Sequence, residues 1–436
     1  FTLANTDRKL WIATESIPKI NAVFPGQMPK ISLPEFLSSQ EWETEHALRE
    51  LVRGRLECLG PITVSRIATE LELSPAKIEA ALIALEVEGF VFQGVFSPET
   101  RQLSQAQPPE QEWCERRLLQ RIHRYTIDAH RQSIKPVSLE TYTRFLFQRH
   151  QLVELGDADI ESLPKLDGQT QLQNTLTLLD GVSAPAGSWE ADIYPSRIRS
   201  YDPSWLDVMC ISGRITWGRY SLPSGLKTGQ GKKRGSSPVK STPITLATRH
   251  NLDIWQALAN AQKPNDQMTE FSGSASRIEQ DLQSHGASFF DEVQTRTGLL
   301  KTQIEDGLAE LVNGGRVTSD SFTGLRALLT PDKKKPSTHR KRHRTAMFGV
   351  QDGGRWSLLN TFASVTEQKP SRHWEVLDEE QIERLISVYL QRWGVIFRSL
   401  IDKEAFAPPW RVLVAKLRKL ELQGVVRGGR FVSGVG

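Results

Sequence analysis

Apolar positions recur at helical spacing in separate stretches of the chain, and short apolar or alternating runs follow them in a repeating order. The clearest stretch is SPAKIEAALIALEVEGF, where Ile78, Leu82 and Leu85 fall at i, i+4 and i+7 and draw one buried stripe down a helix. Ser74 stands where an N-cap belongs and Pro75 at the first helical position, where a missing N–H removes no helical bond. Before it, HALRELVRGRLECLG reads as a helix from His46 to Gly60, PIT as a short strand and VSRIATELEL as a second helix. After it, VFQGVFS reads as a strand pair around Gly94. Helix, strand, helix, helix and β-wing within about fifty residues is the winged form of helix-turn-helix.

The order returns near Ser276, where SRIEQDLQSH, ASFFDEVQTRTG and LLKTQIEDGLAELVNGG read as helices and RVTSDSFTGLRALL as a wing. It returns again from Asp378, with DEEQIERLISVYLQR, GVIFRSLIDKE and PPWRVLVAKLRKLELQG closed by VVRGGRFVSG, whose Arg427-Gly428-Gly429-Arg430 reads as a wing tip. Between these copies EWCERRLLQRIHRYTIDAHRQ predicts a long amphipathic helix, with Cys114, Leu118, Ile122 and Tyr125 on one face and Arg117, Arg121, Arg124 and Arg131 on another. WEADIYPSRIRSYDPSWLDVMCISGRITWGRY reads as a helix followed by a hairpin, and PITLATRH as an added strand after a Gly/Lys/Ser loop. Pro18, Pro25, Pro29 and Pro34 predict an extended arm. The expected organisation is an arm over 1–40, a winged helix over 41–105, a helical or winged-helix-like module over 106–180, and another over 181–260 with a basic loop at 225–240. A winged helix over 265–332, a basic linker and hairpin over 333–372 and a last winged helix over 373–436 complete it. The fold class is thus mainly α with small β-wings, a tandem array of about five winged-helix-like modules.

Length agrees with several compact units, because 436 residues exceed one ordinary core. With 38% hydrophobic and 24% charged residues there is enough apolar material for packed cores, and no run approaches the ~20 apolar residues of a membrane span. Cys58, Cys114 and Cys210 lie far apart without a C-x-x-C pair, which argues against a zinc site and a disulfide framework and fits a reducing cytoplasm. The opening FTLANTDRKLWIATES has neither Met nor a leader pattern, so the chain is expected to be part of a longer protein.

A net charge of +4 is a mild excess, and its distribution says more. Groove insertion demands cationic or neutral third helices, since acids repel phosphate. The first carries Lys77 against Glu79, Glu86 and Glu88, and the second Lys301 against Glu305, Asp306 and Glu310, so both read as packing or subunit-contact modules. The last carries Arg411, Lys416, Arg418 and Lys419 against Glu421, with Trp410 near its start and Arg427 and Arg430 in the wing, and is the best DNA-binding candidate. A solvated basic face on a protein-contact module is the alternative. The row Arg117, Arg121 and Arg124 offers a second phosphate track, with a surface stripe of internal salt bridges as its alternative, since Asp128 interrupts it. The run KKKPSTHRKRHR reads as a flexible linker adding diffuse affinity. An exposed member of Trp189, Trp205, Trp217, Trp356, Trp393 and Trp410 would stack on a base or wedge a duplex, while most tryptophans belong in cores.

Catalytic motifs are missing. In GLKTGQGKKRGS, Leu226 stands where a phosphate-binding loop needs its first Gly and Lys233 where it needs a hydroxyl. Asp378-Glu379-Glu380-Gln381 opens a helix, where acids favour the positive end of the dipole. His123 and His130 are seven residues apart, too far for adjacent metal ligands on a helix, and no metal site is expected.

RRLLQRIHRYT, WEADIYPSRIRSYDPSWLDVMCISGRITWGR, and QRWGVIFRSLIDKE with PPWRVLVAKLRKLELQGVVRGGRFVSG resemble the C-terminal region of the long Lhr (large helicase-related) proteins. RKLWIATESIPKINAVFPG is similar to the segment that follows their motor core. The resemblance implies a superfamily 2, ATP-dependent, 3′-to-5′ DNA helicase of bacterial DNA repair, cytoplasmic and nucleoid-associated. ATP and Mg would then belong to the parent's motor and no cofactor to this chain; its partners would be DNA, that motor and further copies of itself. It also implies that the middle part is similar to winged-helix DNA glycosylases, which makes excision of uracil or alkylated bases the alternative function and a transcription regulator a remoter one. Those glycosylases place a Gln-x-Gln or Gln-x-Asp in an early helix; LLDGVSAP aligns there with Ser183 and Pro185, while Gln171-Leu172-Gln173 lies earlier, so no catalytic residue is assigned.

Overall fold

The computed structural model of the chain describes residues 11–27, 32–97, 110–152, 167–220, 239–261, 271–329, 349–359 and 377–435. It divides into two compact units, Phe1–Ser133 and Ile134–Gly436.

In the first unit, part of the expected extended arm is helical. Helix α1 (Ile17–Val23) takes Pro18 in its first turn, where proline is tolerated, and buries Ile20 and Phe24 against Leu51 and Leu73. A short α2 (Glu35–Ser38) follows. The winged helix itself is α3 (Thr44–Leu56), β1 (Ile62–Thr63), α4 (Val64–Leu71), α5 (Pro75–Val87), β2 (Val91–Gly94) and β3 (Glu112–Glu115). Ile78, Leu82 and Leu85 are fully buried, as their spacing requires. The return strand corrects the sequence reading: EWCE is not the start of a helix but β3, paired antiparallel with both β1 and β2, and it lies beyond the 41–105 span. Its acids are stable in a buried strand because backbone amides satisfy them. Glu112 accepts from the N–H groups of Phe96 and Ser97 at 2.6 and 2.8 Å, and Glu115 from those of Arg117 and Leu118 at 2.8 and 2.5 Å. Glu115 thereby caps α6 (Arg116–Ser133).

The second unit opens with α7 (Leu139–Arg149), followed by α8 (Gly168–Leu178), β4 (Ser183–Pro185), a π turn at Trp189–Ile193, α9 (Pro203–Ile211), β5 (Ile215–Gly218), β6 (Pro243–Thr248) and α10 (Leu252–Ala261). A third module runs α11 (Gly273–His285), β7 (Ser288–Phe289), α12 (Phe290–Thr297), α13 (Lys301–Asn313), β8 (Val317–Ser319), α14 (Phe322–Leu329) and β9 (Arg355–Leu358). The three sheets are ordered β1-β3-β2, β4-β6-β5 and β7-β9-β8, all antiparallel. In each, the strand after the first helix pairs with the last strand, so one winged-helix topology is built three times.

Two wing assignments change. FTGLRALL is α14 rather than a wing strand, because Phe322 and Leu325 turn into the core and Gly324 sits too close to Trp356 for any side chain. The wing closes at β9, within the span expected to be linker and hairpin, so KKKPSTHRKRHR falls in sequence between α14 and β9 of one module rather than between two modules. That run and the 225–238 part of the basic loop lie outside the described residues.

The fourth module is α15 (Glu379–Trp393), α16 (Arg398–Ile401) and α17 (Trp410–Leu422). Asp378 and Gln381 cap α15 reciprocally. Among the described residues VVRGGRFVSG forms no hairpin. Its backbone bonds are taken elsewhere: Val432 bridges Val137 in parallel, with Val137 N–H donating to Phe431 O at 2.8 Å and Ser433 N–H to Val137 O at 2.8 Å.

One shared core unites the second and third modules through Trp217, Phe322 and Trp356, and another joins α10 to the fourth through Trp255, Tyr389 and Phe406. Between them sits Asp180, 2% exposed, whose carboxylate accepts from Thr248 N–H (3.0 Å) and Oγ1–H (2.5 Å), Asn251 Nδ2 (2.8 Å) and Trp255 Nε1 (3.0 Å). Its carbonyl accepts from Arg392, which also donates to Leu178 O and pairs with Glu404.

Helix α7 caps the end of α15. Tyr142 Oη–H donates to Trp393 O and His150 Nε2–H to Arg392 O, both at 3.0 Å, while Arg149 donates to the carbonyls of Gln391 and Leu390. Burial lowers the His150 pKa against the raising effect of its bond to the Arg392 carbonyl, and the charges of Arg197, Arg392 and Arg149 lower it further. The folded state therefore favours the neutral ring, and the unfolded chain takes up the proton first as pH falls. The expected result is that stability from this group, complete above the unfolded pKa of about 6.5, is lost below it. Urea midpoints at near-neutral and mildly acidic pH check this: the native chain should drop further than His150→Gln, and equal drops contradict it.

Candidate nucleic-acid interface

A winged helix reads a duplex with its third helix and its wing, so the charge on those surfaces decides which module can approach phosphate. On α5 the exposed side chains include Glu79, Ile83, Glu86 and Val87, an acidic and apolar face. On α13, Lys301 is tied to Gln351 at 3.1 Å, Glu310 accepts from Ser272, and Gly307, Leu308, Leu311 and Val312 are buried. The sequence reading gave a helix followed by a hairpin in this stretch but not α9 as the third helix of the second module, because the irregular turn Trp189–Ile193 replaces a regular second helix. Its outer face shows Ser204, Val208 and Ile211, while its Asp207 is held by Arg326 of α14, which also grips Glu190 with two hydrogen bonds of 2.7 and 2.8 Å.

The fourth module differs, although not as its composition suggests. Lys416 is only 7% exposed and sits between Glu379 (3.0 Å) and Glu383 (2.7 Å) of α15; Lys419 reaches the same Glu379 at 2.7 Å. The two ammoniums, Lys419 first, hold the Glu379 carboxyl down at about 2. This corrects the reading of Lys416 as a DNA contact: its charge is spent inside the module. The acid cluster that opens α15 was the available signal, since helix ends of opposite charge attract when two helices pack. Trp410 is half-buried against the module core. Arg411, Arg418, Arg427 and Arg430 are exposed, and among the described residues Arg418, Arg427 and Arg430 have no acidic partner. Glu421, the one acid read on this helix, is turned to the segment that follows the helix, where it accepts from Gly428 N–H at 3.0 Å.

Because Lys416 is already neutralised, Lys416→Met is expected to change duplex affinity by no more than about threefold. Fluorescence anisotropy would read this directly, and a loss matching that of Arg418→Ala would contradict the assignment.

In the first unit, α6 carries the arginine row. None of its residues is buried, and Arg117, Arg121 and Arg124 are exposed without an acidic partner among the described residues; Asp128 pairs with Arg131 at 3.4 Å. The salt-bridged alternative therefore holds for Arg131 alone. The expected tryptophan wedge finds no side chain: Trp189, Trp217 and Trp356 are fully buried, and Trp205, Trp393 and Trp410 are half-buried. LLDGVSAP is also structural, with Asp180 enclosed and Ser183 and Pro185 in β4. Among the described residues no group of acids, histidines and cysteines is placed to hold a metal, and no helix is long and apolar enough to cross a membrane.

A family model described as "Large helicase-related protein, winged-helix domain" matches residues 137–233, and a second of the same description matches 375–436. The Mycolicibacterium smegmatis protein named "Lhr helicase/ probable uracil glycosylase" is 25% identical over 400 residues, which cover 89% of this chain and 24% of that protein. The Escherichia coli "Lhr helicase/uracil glycosylase" is 25% identical over 431 residues, 93% of this chain and 25% of that protein. The chain thus spans about a quarter of the length of the curated relatives it matches. Winged-helix modules of one topology, the two family matches and a likeness running through nearly the whole chain fit a C-terminal region of the large helicase-related (Lhr) proteins.

Proposed function

We propose that this chain holds DNA for a longer helicase, gripping duplex phosphates through the fourth winged helix while an ATP-driven motor elsewhere in that protein moves the strand. The observation that carries this reading is the set Arg418, Arg427 and Arg430, exposed on the third helix and on the segment that follows it, without acidic partners among the described residues. Guanidinium forks match phosphate oxygens, and contacts of this kind position a protein without reading sequence. In this reading ATP and Mg belong to the motor, and the chain binds DNA with no nucleotide present. A role in DNA repair is drawn from the family likeness. The acidic and apolar face of α5 suits contact with protein, including another copy of the chain, better than contact with phosphate.

Base excision has weaker support here. The two relatives carry uracil glycosylase in their names, but the one acid near the aligned motif, Asp180, is occupied by structural hydrogen bonds. The test is binding of the purified chain to a labelled duplex without ATP. Binding at about 50 mM salt that weakens steeply on raising it supports the reading. No binding at that salt overturns it.

A further inference from the structure

Helix α6 has a composition that a structural connector does not need. It is 18 residues long, about 27 Å, and none of those residues is buried. Arg117, Arg121 and Arg124 are spaced by four and three residues, which places them in one row. Beside the row, one turn beyond Arg121, stands Tyr125, 78% exposed, with Ile122 (37% exposed) next to it. The start of the helix is fixed by Glu115 and by Arg116, whose guanidinium lies 5.7 Å from the Phe92 ring centroid. The row is thereby held to the winged helix that precedes it.

We propose that α6 is a platform for single-stranded DNA, with Arg117, Arg121 and Arg124 on successive phosphates and the Tyr125 ring stacked on a base. Charge selects a polyanion, since three guanidiniums in a row have no acid to neutralise them among the described residues. The tyrosine selects the single strand. In a duplex the base faces are covered by their neighbours, so an exposed ring beside the phosphate row gains nothing; an unstacked base offers a free face. The choice of DNA rests on the function proposed above, whereas the site and its preference for unpaired bases are independent of the fourth module.

The test uses the whole chain and three labelled probes: a short oligothymidylate, a base-free strand of the same length, and a duplex. Tyr125→Ala is expected to weaken oligothymidylate binding about tenfold, and Tyr125→Phe to restore it, because stacking needs the ring and not the hydroxyl. Neither substitution should alter binding of the base-free strand or the duplex. Arg117→Ala, Arg121→Ala and Arg124→Ala combined should weaken both single strands and flatten their salt dependence. The substituted positions are all exposed, so an unchanged thermal midpoint should accompany each variant. Unchanged oligothymidylate binding by Tyr125→Ala overturns the proposal, as does an equal loss on the base-free strand or the duplex. Normal loss of duplex affinity on removing Arg418, Arg427 and Arg430 would then leave the earlier reading standing by itself.

Discussion

Asp180→Ala is expected to lower the unfolding free energy of the Ile134–Gly436 unit by about 3–5 kcal/mol. The carboxylate is buried and accepts from four donors carried by β6, the turn that follows it, and α10. Truncation strands those donors in a site that water does not reach, and each unsatisfied group costs about 1–3 kcal/mol. It also empties the space against which the Trp255 indole is held, so urea titration followed by tryptophan fluorescence reads the change. Asp180→Asn should lose less, because one carbonyl oxygen still accepts while the amide faces donors. A loss below about 1 kcal/mol for the alanine variant would mean that Asp180 is not the joint between these modules.

The second large effect concerns binding. Arg418→Ala, Arg427→Ala and Arg430→Ala together are expected to weaken duplex affinity about a hundredfold near 0.1 M salt, if each exposed guanidinium supplies about 1 kcal/mol through a charge-assisted phosphate contact. All three side chains are exposed, so the fold should be unaffected. The loss should be nearly uniform across DNA sequences, because phosphate contacts carry no base information. Electrophoretic shift with two unrelated duplexes measures both points. A loss confined to one sequence would place these arginines on base edges instead.

Helical periodicity was the most legible signal. Ile78, Leu82 and Leu85 on α5, and the helix start at Asp378 to Gln381, follow from spacing and residue type alone. Strand pairing was harder to see, because it depends on partners distant in sequence. β3 looked helical since Trp113 and Cys114 precede an amphipathic run, and its burial depends on amides at Phe96 and Ser97 that accept no pattern-based forecast. β9 pairs with β7 across more than sixty residues, and an intervening apolar helix, α14, occupies the place where a wing strand was expected. The closing wing escaped for the same reason, with Val137 standing where a hairpin partner was expected. At the candidate interface, composition pointed to the fourth module but could not separate free cations from spent ones. Lys416 and Arg418 are two residues apart on one helix; packing against α15 turns the first inward to Glu379 and Glu383 and leaves the second in solvent.

The most direct measurement of the account is the dependence of duplex affinity on salt, compared between the native chain and the variant lacking Arg418, Arg427 and Arg430. Each phosphate neutralised by a guanidinium releases counterions, so a plot of log affinity against log salt should be less steep for the variant by about 0.9 per contact, or roughly three in all. Parallel plots for the two proteins, or a flat plot for the native chain, would show that these arginines do not hold the DNA backbone.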